Sequence, residues 1–243
     1  MNNETRKRRK VLFPMGGKGG TGKTTVLTAL SEWFSENGIP CVRLDLDTEN
    51  KVKGSFCHFF PEGTQKIDIN TRAGLDAFID LADEASIILA DMGSGSGKVA
   101  HGWFDSMYES ISDTMSFTAL GLVTSDPASV ESVLAWAARL QNRVSYVIVL
   151  NKQEDDASAF SYWEQTAEVV KFRKLFKPEI IQMDSRLPDL QHALRNHGVT
   201  LTSVIKREVF IPELAKSSLV MRAQAYRKQL FAEFDRIKEV LLP

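Results

Sequence analysis

The chain has 243 residues, a formal net charge of -1 and 43 % hydrophobic residues, enough for one large domain with a full core. The near-neutral charge argues against a wholly basic nucleic-acid coat. Two cysteines without metal-ligand spacing, Cys41 and Cys57, argue against a disulfide framework or thiolate metal site, and we expect both to be buried. No apolar run approaches the roughly 20 residues of a membrane span. The N-terminus is charged rather than signal-like, so we expect a cytoplasmic protein.

The N-terminal segment MNNETRKRRK carries five basic residues and one acidic residue. We predict a mobile basic tail at residues 1–10, followed by one folded domain at 11–243 that includes the C-terminal helices. The apolar run KVLFPM then predicts a strand that ends at glycines. From Thr24 to Asn37, apolar residues recur at helical spacing, so a helix follows the glycines.

Strands and helices continue to alternate along the rest of the chain. The sequence predicts further strands at 39–45, 86–91, 116–126, 144–152 and 179–184, and further helices at 72–85, 127–142, 157–176, 187–198 and about 212–241. The strands are nearly continuous apolar runs, which is typical of a parallel sheet buried on both faces. We therefore predict a single doubly wound α/β domain with a mostly parallel sheet, and an irregular insertion at 51–70.

The stretch GKGGTGKT fits the phosphate-loop pattern GxxxxGK[ST] and lies between a predicted strand and a predicted helix. Glycines let backbone N–H groups converge on phosphate oxygens, and the helix start adds its positive dipole end. In this pattern Lys23 contacts the β and γ phosphates, and Thr24 offers its hydroxyl to Mg²⁺. The predicted nucleotide-binding residues are Gly17, Gly19, Gly20, Thr21, Gly22, Lys23, Thr24 and Thr25.

The same stretch holds a second lysine, Lys18, and KGGTGKTT resembles the deviant Walker A motif of the ParA/MinD family of dimeric ATPases. In that family the first lysine reaches across a two-fold interface to the phosphates of the partner. The resemblance therefore implies a homodimer that encloses ATP, with Lys18 and Lys23 acting in hydrolysis. On the residues alone, Lys18 could instead be a solvated loop lysine.

Two later strand ends resemble the switches of this family. In RLDLDTEN, Asp45 and Asp47 match its DxD motif, which implies that Asp47 positions the attacking water; the two acids could also be a capping pair. In IILADMGSGSG, Asp91 matches the Walker B acid that holds Mg²⁺. The glycines at 93, 95 and 97 predict a second switch that becomes ordered on binding, or else a flexible surface loop.

The strand end VIVLNK presents Asn151, from which this family hydrogen-bonds the adenine base. The stretch NKQE is also close to the NKxD motif of GTPases, with Glu154 in the place of the aspartate. The Lys18 signature favours ATP over GTP, and MDSRLP is predicted to close the base pocket.

Two basic regions and the final helix are the features of the sequence that bear on its partners. RKRRK suits nucleic acid, anionic lipid or a solubilising tail. Relatives of the partition type bind DNA non-specifically through C-terminal cations, and a helix face that is merely solvated carries the same residue types. The corresponding cations here are Lys206, Arg207, Lys216, Arg222, Arg227 and Lys228. Membrane attachment is the less favoured hypothesis, because FAEFDRIKEVLL mixes acidic and basic residues, whereas the membrane-targeting helix of MinD is basic.

Four features are the stretches GIPCVRLDLDTEN, KIDINTRAGLDAFIDL and RLPDL, and the glycine-serine run after Asp91. Together they loosely resemble plasmid conjugal-transfer and stability ATPases of the TraL/StbB kind. That likeness implies a role in plasmid partition, DNA transfer or positioning, with an accessory protein as partner. The competing hypothesis is a metabolic enzyme on the same scaffold, either a small-molecule kinase or an ATP-dependent ligase.

Overall fold

A seven-stranded parallel sheet forms the centre of the fold. The computed structural model describes residues 8–47, 53–69, 71–92, 97–153, 158–185 and 188–243. The strands are β1 (Arg9–Met15), β2 (Cys41–Asp45), β3 (Thr64–Lys66), β4 (Ile87–Asp91), β5 (Met115–Val123), β6 (Ser145–Asn151) and β7 (Glu179–Met183). Their order across the sheet is β3-β2-β4-β1-β5-β6-β7, and every neighbouring pair is parallel. The predicted doubly wound α/β fold is confirmed.

Helices cover both faces of this sheet. Those of the described residues are α1 (Lys23–Glu36), α2 (Phe56–Phe59), α3 (Arg72–Ala82), α4 (Gly97–Ile111), α5 (Pro127–Leu140), α6 (Ser161–Gln165), α7 (Ala167–Phe176), α8 (Pro188–His197), α9 (Leu201–Ile205), α10 (Ser217–Arg236) and α11 (Lys238–Leu241). A short 3-10 turn at Gln141–Arg143 follows α5.

Strand β1 lies at the centre of the sheet and contributes to two hydrophobic cores. Val11 and Phe13 pack into the core that also holds residues of α3, α5 and α7. Leu12 points to the opposite face, into the core formed with α1, α10 and α11, as the period of two in a strand requires. Since β4 lies on one side of β1 and β5 on the other, the winding direction changes at β1, where open parallel sheets place their ligands.

The two C-terminal helices belong to the second of these cores. Phe234 and Leu241 are fully buried in it. The Trp33 indole N–H donates to Asp235 Oδ1 at 2.9 Å, and the buried Thr118 hydroxyl donates to the Val240 carbonyl at 3.0 Å. The end of the chain is therefore bonded directly to α1 and β5.

Four sequence predictions need correction. The range 51–70 is not wholly irregular, because Ser55 caps the short helix α2 by accepting from the His58 N–H, and three further residues add β3 to the sheet edge. Elements this short show no periodicity. Helix α4 was missed after the glycine-rich run, although Phe104, Tyr108 and Ile111 recur at helical spacing and pack into the core.

The tail and the cysteines also differ from their predictions. Strand β1 begins at Arg9, inside the range predicted as a tail, and Lys10 is buried in it. Residues 1–7 lie outside the described residues, so the rest of that prediction is untested. Cys41, on β2, and Cys57, on α2, are half-buried rather than buried.

Candidate nucleotide site

The glycine loop joins the end of β1 to the start of α1. Gly16, Gly20 and Gly22 all have positive φ angles, of 114°, 76° and 96°. Gly22 is the N-cap of α1, and a Cβ there would lie only 2.6 Å from Asn151 Nδ2. Gly22 offers no side chain to cap the first N–H groups of α1. An anion suits such a helix start.

Lys23 and Thr24 occupy the first turn of α1. Lys23 is 8 % exposed, and its Nζ donates to the Lys18 carbonyl at 2.8 Å across the loop. The Thr24 hydroxyl donates to Asp91 Oδ2 at 2.8 Å. Burial raises the pKa of Asp91 to about 7, and the charges of Asp45 and Asp47 add to this. The first turn thus brings an ammonium group, a hydroxyl and a carboxyl together.

The two acids at the end of β2 have different environments. Asp45 is 1 % exposed, lies in register with Asp91, and accepts from the Asp47 and Cys57 N–H groups at 3.1 and 3.3 Å. Asp47 instead lines the open cleft beside the glycine loop. The capping role that the sequence left open therefore falls to Asp45, and Asp47 is the carboxylate placed to face a ligand.

The outer arm of the loop rests on helix α5. Lys18 Nζ forms an ion pair of 2.8 Å with Asp126 Oδ2, and both side chains are about half exposed. The Gly17 N–H donates to Ser132 Oγ at 2.7 Å. Asp126 also caps α5 by accepting from the Ala128 N–H, and the bond from Lys18 is the main cause that lowers its pKa. In the sequence, Asp126 was only the last residue of the strand predicted at 116–126, before the helix predicted at 127–142.

A second, smaller pocket lies beside the inner arm of the loop. The Asn151 side-chain amide donates to the Thr21 carbonyl at 2.8 Å, and the Gln153 amide donates to the Gly20 carbonyl at 2.7 Å. Met183 and Asp184, at the start of MDSRLP, line this pocket. Glu154, on which the GTPase alternative depends, lies outside the described residues, as do residues 93–96 of the predicted second switch.

The donor set at the loop fits a magnesium ion. Mg²⁺ prefers oxygen ligands and takes only one or two from protein, with the rest from phosphates and water. The Thr24 hydroxyl and the Asp91 carboxylate supply such a pair of oxygens, held 2.8 Å apart. No group of three His, Cys, Asp or Glu residues in the described ranges forms a dedicated metal cage. The pair therefore suits a metal that arrives with a nucleotide.

The parallel sheet, the central strand and the glycine loop define a phosphate-loop nucleotide-binding protein. The model of the CobQ/CobB/MinD/ParA nucleotide-binding domain family matches residues 12–216. The chain belongs to this family, as the ParA/MinD resemblance implied. No curated protein sequence matches it.

Solved structures of the same fold cover almost the whole chain. The MinD cell division protein of Aquifex aeolicus is 15 % identical with a TM-score of 0.57, and MinD in its MinC:MinD complex is 13 % identical with a TM-score of 0.56; both alignments cover 96 % of this chain and 98 % of theirs. A plasmid partition protein of Borrelia burgdorferi bound to AMPPNP is 10 % identical, with a TM-score of 0.51, covering 90 % of this chain and 99 % of its own. At these identities the likeness shows the fold alone.

The C-terminal cations do not form one uniform surface. Arg227 pairs with Glu36 at 2.9 Å and lies over the Phe231 ring at 5.3 Å, so it belongs to the packing of α10 on α1. The other five cations are exposed: Lys206, Arg207, Lys216, Arg222 and Lys228. Among the described helices, none is long and apolar enough to cross a membrane.

Proposed function

We propose that this protein is a Mg²⁺-dependent ATPase that forms a homodimer with ATP enclosed between its two subunits. In this proposal it works as a switch in the positioning, partitioning or transfer of DNA. One observation carries the proposal: a complete phosphate loop with a second lysine faces a cleft that also holds Asp47 and Asp91. Membership of a family that includes MinD and ParA supports the ATPase class. The AMPPNP bound to the Borrelia protein supports an adenine nucleotide.

Five residues of the nucleotide site have a proposed part in this reaction. In hydrolysis, water attacks the γ-phosphorus, the bond to the bridging oxygen breaks, and ADP and phosphate leave. Lys23 binds the β and γ phosphates, and the first N–H groups of α1 hold their oxygens. Asp47 orients the water. When bound, Mg²⁺ would neutralise phosphate charge, held by the Thr24 hydroxyl and the Asp91 carboxylate. Asn151 holds the glycine loop in place through the Thr21 carbonyl, beside the smaller pocket that we assign to the adenine base.

Lys18 supplies the coupling between nucleotide and dimer in this proposal. Within one chain its ammonium group is paired with Asp126, on the outer side of the loop. An ion pair between half-exposed side chains is weak, because water screens both charges. Lys18 can therefore exchange this carboxylate for the phosphates bound by a second copy, where it stabilises the charge of the transferred phosphoryl group much as an arginine finger does.

The Lys18→Ala variant tests this coupling. We expect it to bind ATP as the parent does, because Lys23 and the α1 N-terminus remain, but to lose ATP-dependent dimerisation and hydrolysis. Light scattering with AMPPNP and a phosphate-release assay measure the two losses. Asp126→Asn is the matched control: it keeps the helix cap but removes the charge, so it should dimerise at least as readily as the parent. Dimerisation of Lys18→Ala at parental levels would show that the lysine does not act in trans.

The partner of the switch is proposed to be non-specific DNA, an accessory protein, or both. The five exposed C-terminal cations are the candidate DNA contacts, while Arg227 is excluded by its internal ion pair. Exposed cations that contact phosphate release counterions, so such binding weakens steeply as salt rises.

A further inference from the structure

Two segments that the phosphate-loop motif does not include form a second wall of the cleft beside the glycine loop. One is the stretch 53–59, with Lys53, Gly54 and Phe59 on the cleft, and the other is α8, with Leu194 and Arg195. Both line the same cleft as Lys23, Thr24, Asp47 and Asp91. A nucleotide bound at the loop therefore meets this second wall.

The two segments are fitted closely to each other. The His58 imidazole Nε2 lies 3.0 Å from the Arg195 carbonyl oxygen. At Gly198, just after α8, a Cβ would lie 2.5 Å from the His58 carbonyl oxygen. At Gly54, with a φ of 85°, a Cβ would lie 2.9 Å from Arg195 Nε. The Arg195 side chain thus runs across the bare backbone of Gly54, and this close approach fixes its direction.

The position of Arg195 along α8 places it on the main cleft rather than on the smaller pocket. Gln191 and Arg195 are one turn apart on the same helix face. Gln191 borders both the main cleft and the smaller pocket that contains Asn151. Arg195 borders only the main cleft, together with Asp47 and Asp91. Helix α8 therefore runs from the smaller pocket towards the part of the cleft that holds Asp47 and Asp91.

The charge of Arg195 is available for a ligand. Its side chain is exposed, and no acidic side chain of the described residues forms an ion pair with it. A guanidinium group offers five donors in a planar fork that matches two phosphate oxygens at once. A guanidinium group that lines the same cleft as a phosphate loop is therefore suited to bind an anionic ligand.

We propose that Arg195 binds the terminal phosphates of the nucleotide in cis, and that His58 and Gly54 position it. This inference rests on the proposed nucleotide-binding function and adds a cation from the same chain to Lys23. Segment 53–59 and α8 then form a second wall that distinguishes the triphosphate from shorter nucleotides.

The test compares AMPPNP and AMP on Arg195→Gln. We expect AMPPNP to bind about tenfold more weakly, from the loss of a charge-assisted contact, while AMP binds as it does to the parent. Isothermal titration calorimetry of the full chain measures both affinities. Arg195→Lys should recover part of the loss. Arg173→Gln, an exposed arginine of α7 outside the cleft, is the matched control and should change neither affinity.

The outcomes separate this inference from the proposed function. Parental AMPPNP affinity in Arg195→Gln, with binding lost in Lys23→Ala, would overturn the role of Arg195 alone. Parental AMPPNP affinity in Lys23→Ala would overturn the proposed function. An equal loss for AMPPNP and AMP in Arg195→Gln would also overturn the inference, because it would reflect a disturbed wall rather than a lost phosphate contact. His58→Ala should weaken AMPPNP in the same direction as Arg195→Gln but less.

Discussion

Replacing Lys23 with alanine is expected to abolish ATP binding. Its ammonium group is buried at the start of α1, where it is held by the Lys18 carbonyl and faces the cleft that takes the phosphates. Charge-assisted bonds to two phosphates are lost together, which corresponds to at least about 100-fold in affinity. Calorimetry with AMPPNP measures the loss.

Two controls decide whether this loss is specific. Lys171→Ala removes an exposed lysine of α7 that does not line the cleft, so it should bind AMPPNP with parental affinity. Thermal unfolding should show that Lys23→Ala still folds, because the sheet and both cores do not depend on this side chain. AMPPNP binding by folded Lys23→Ala at parental affinity would contradict the assignment of the phosphate site.

Replacing Asp47 with alanine is expected to trap the ATP-bound dimer. In the proposed mechanism Lys18, Lys23 and Thr24 still hold the phosphates and metal, so we expect binding to persist while water positioning is lost. Losing one positioning group typically lowers turnover by about 100-fold or more. Phosphate release measures turnover, and light scattering measures the persistence of the dimer. Asp76→Ala, an exposed acid of α3, is the control and should hydrolyse ATP normally.

The trapped dimer is also the reagent that identifies the partner. It should be tested on DNA at two salt concentrations, on anionic vesicles and as bait for proteins of its own host. DNA retention that falls steeply with salt supports the DNA-binding proposal. Hydrolysis by Asp47→Ala at the parental rate would instead show that DLDTEN is not the first switch.

Much of the site could be predicted because its signals are local. The loop glycines, Lys23 and Thr24 are neighbours in sequence, and their conformation follows from a strand, a turn and a helix. Asp47 and Asp91 stand at the ends of apolar runs, and parallel strands bring such ends to one edge of the sheet. Strand position alone thus places both acids beside the loop.

The contacts that could not be predicted join residues far apart in sequence. Lys18 meets Asp126 only because α5 starts beside the loop, and no pattern in either segment shows this. Arg195 reaches the cleft only because α2 and α8 fit together through His58. From the sequence Arg227 is a candidate DNA contact, but in the fold it pairs with Glu36 on α1. Each of these depends on packing angles that periodicity does not encode.

The strand order has a consequence for how the chain folds. Val11 of β1 pairs with Ile88 and Phe117, so the central strand is made first but finds its neighbours only after two further stretches of chain have been synthesised. Non-local parallel pairings form slowly because loop closure costs entropy before contacts form. Until β4 and β5 emerge, β1 is an apolar strand with two unpaired edges, which is the kind of segment that aggregates. The strand at the centre of the nucleotide site is therefore also a part of the nascent chain that depends on protection from aggregation.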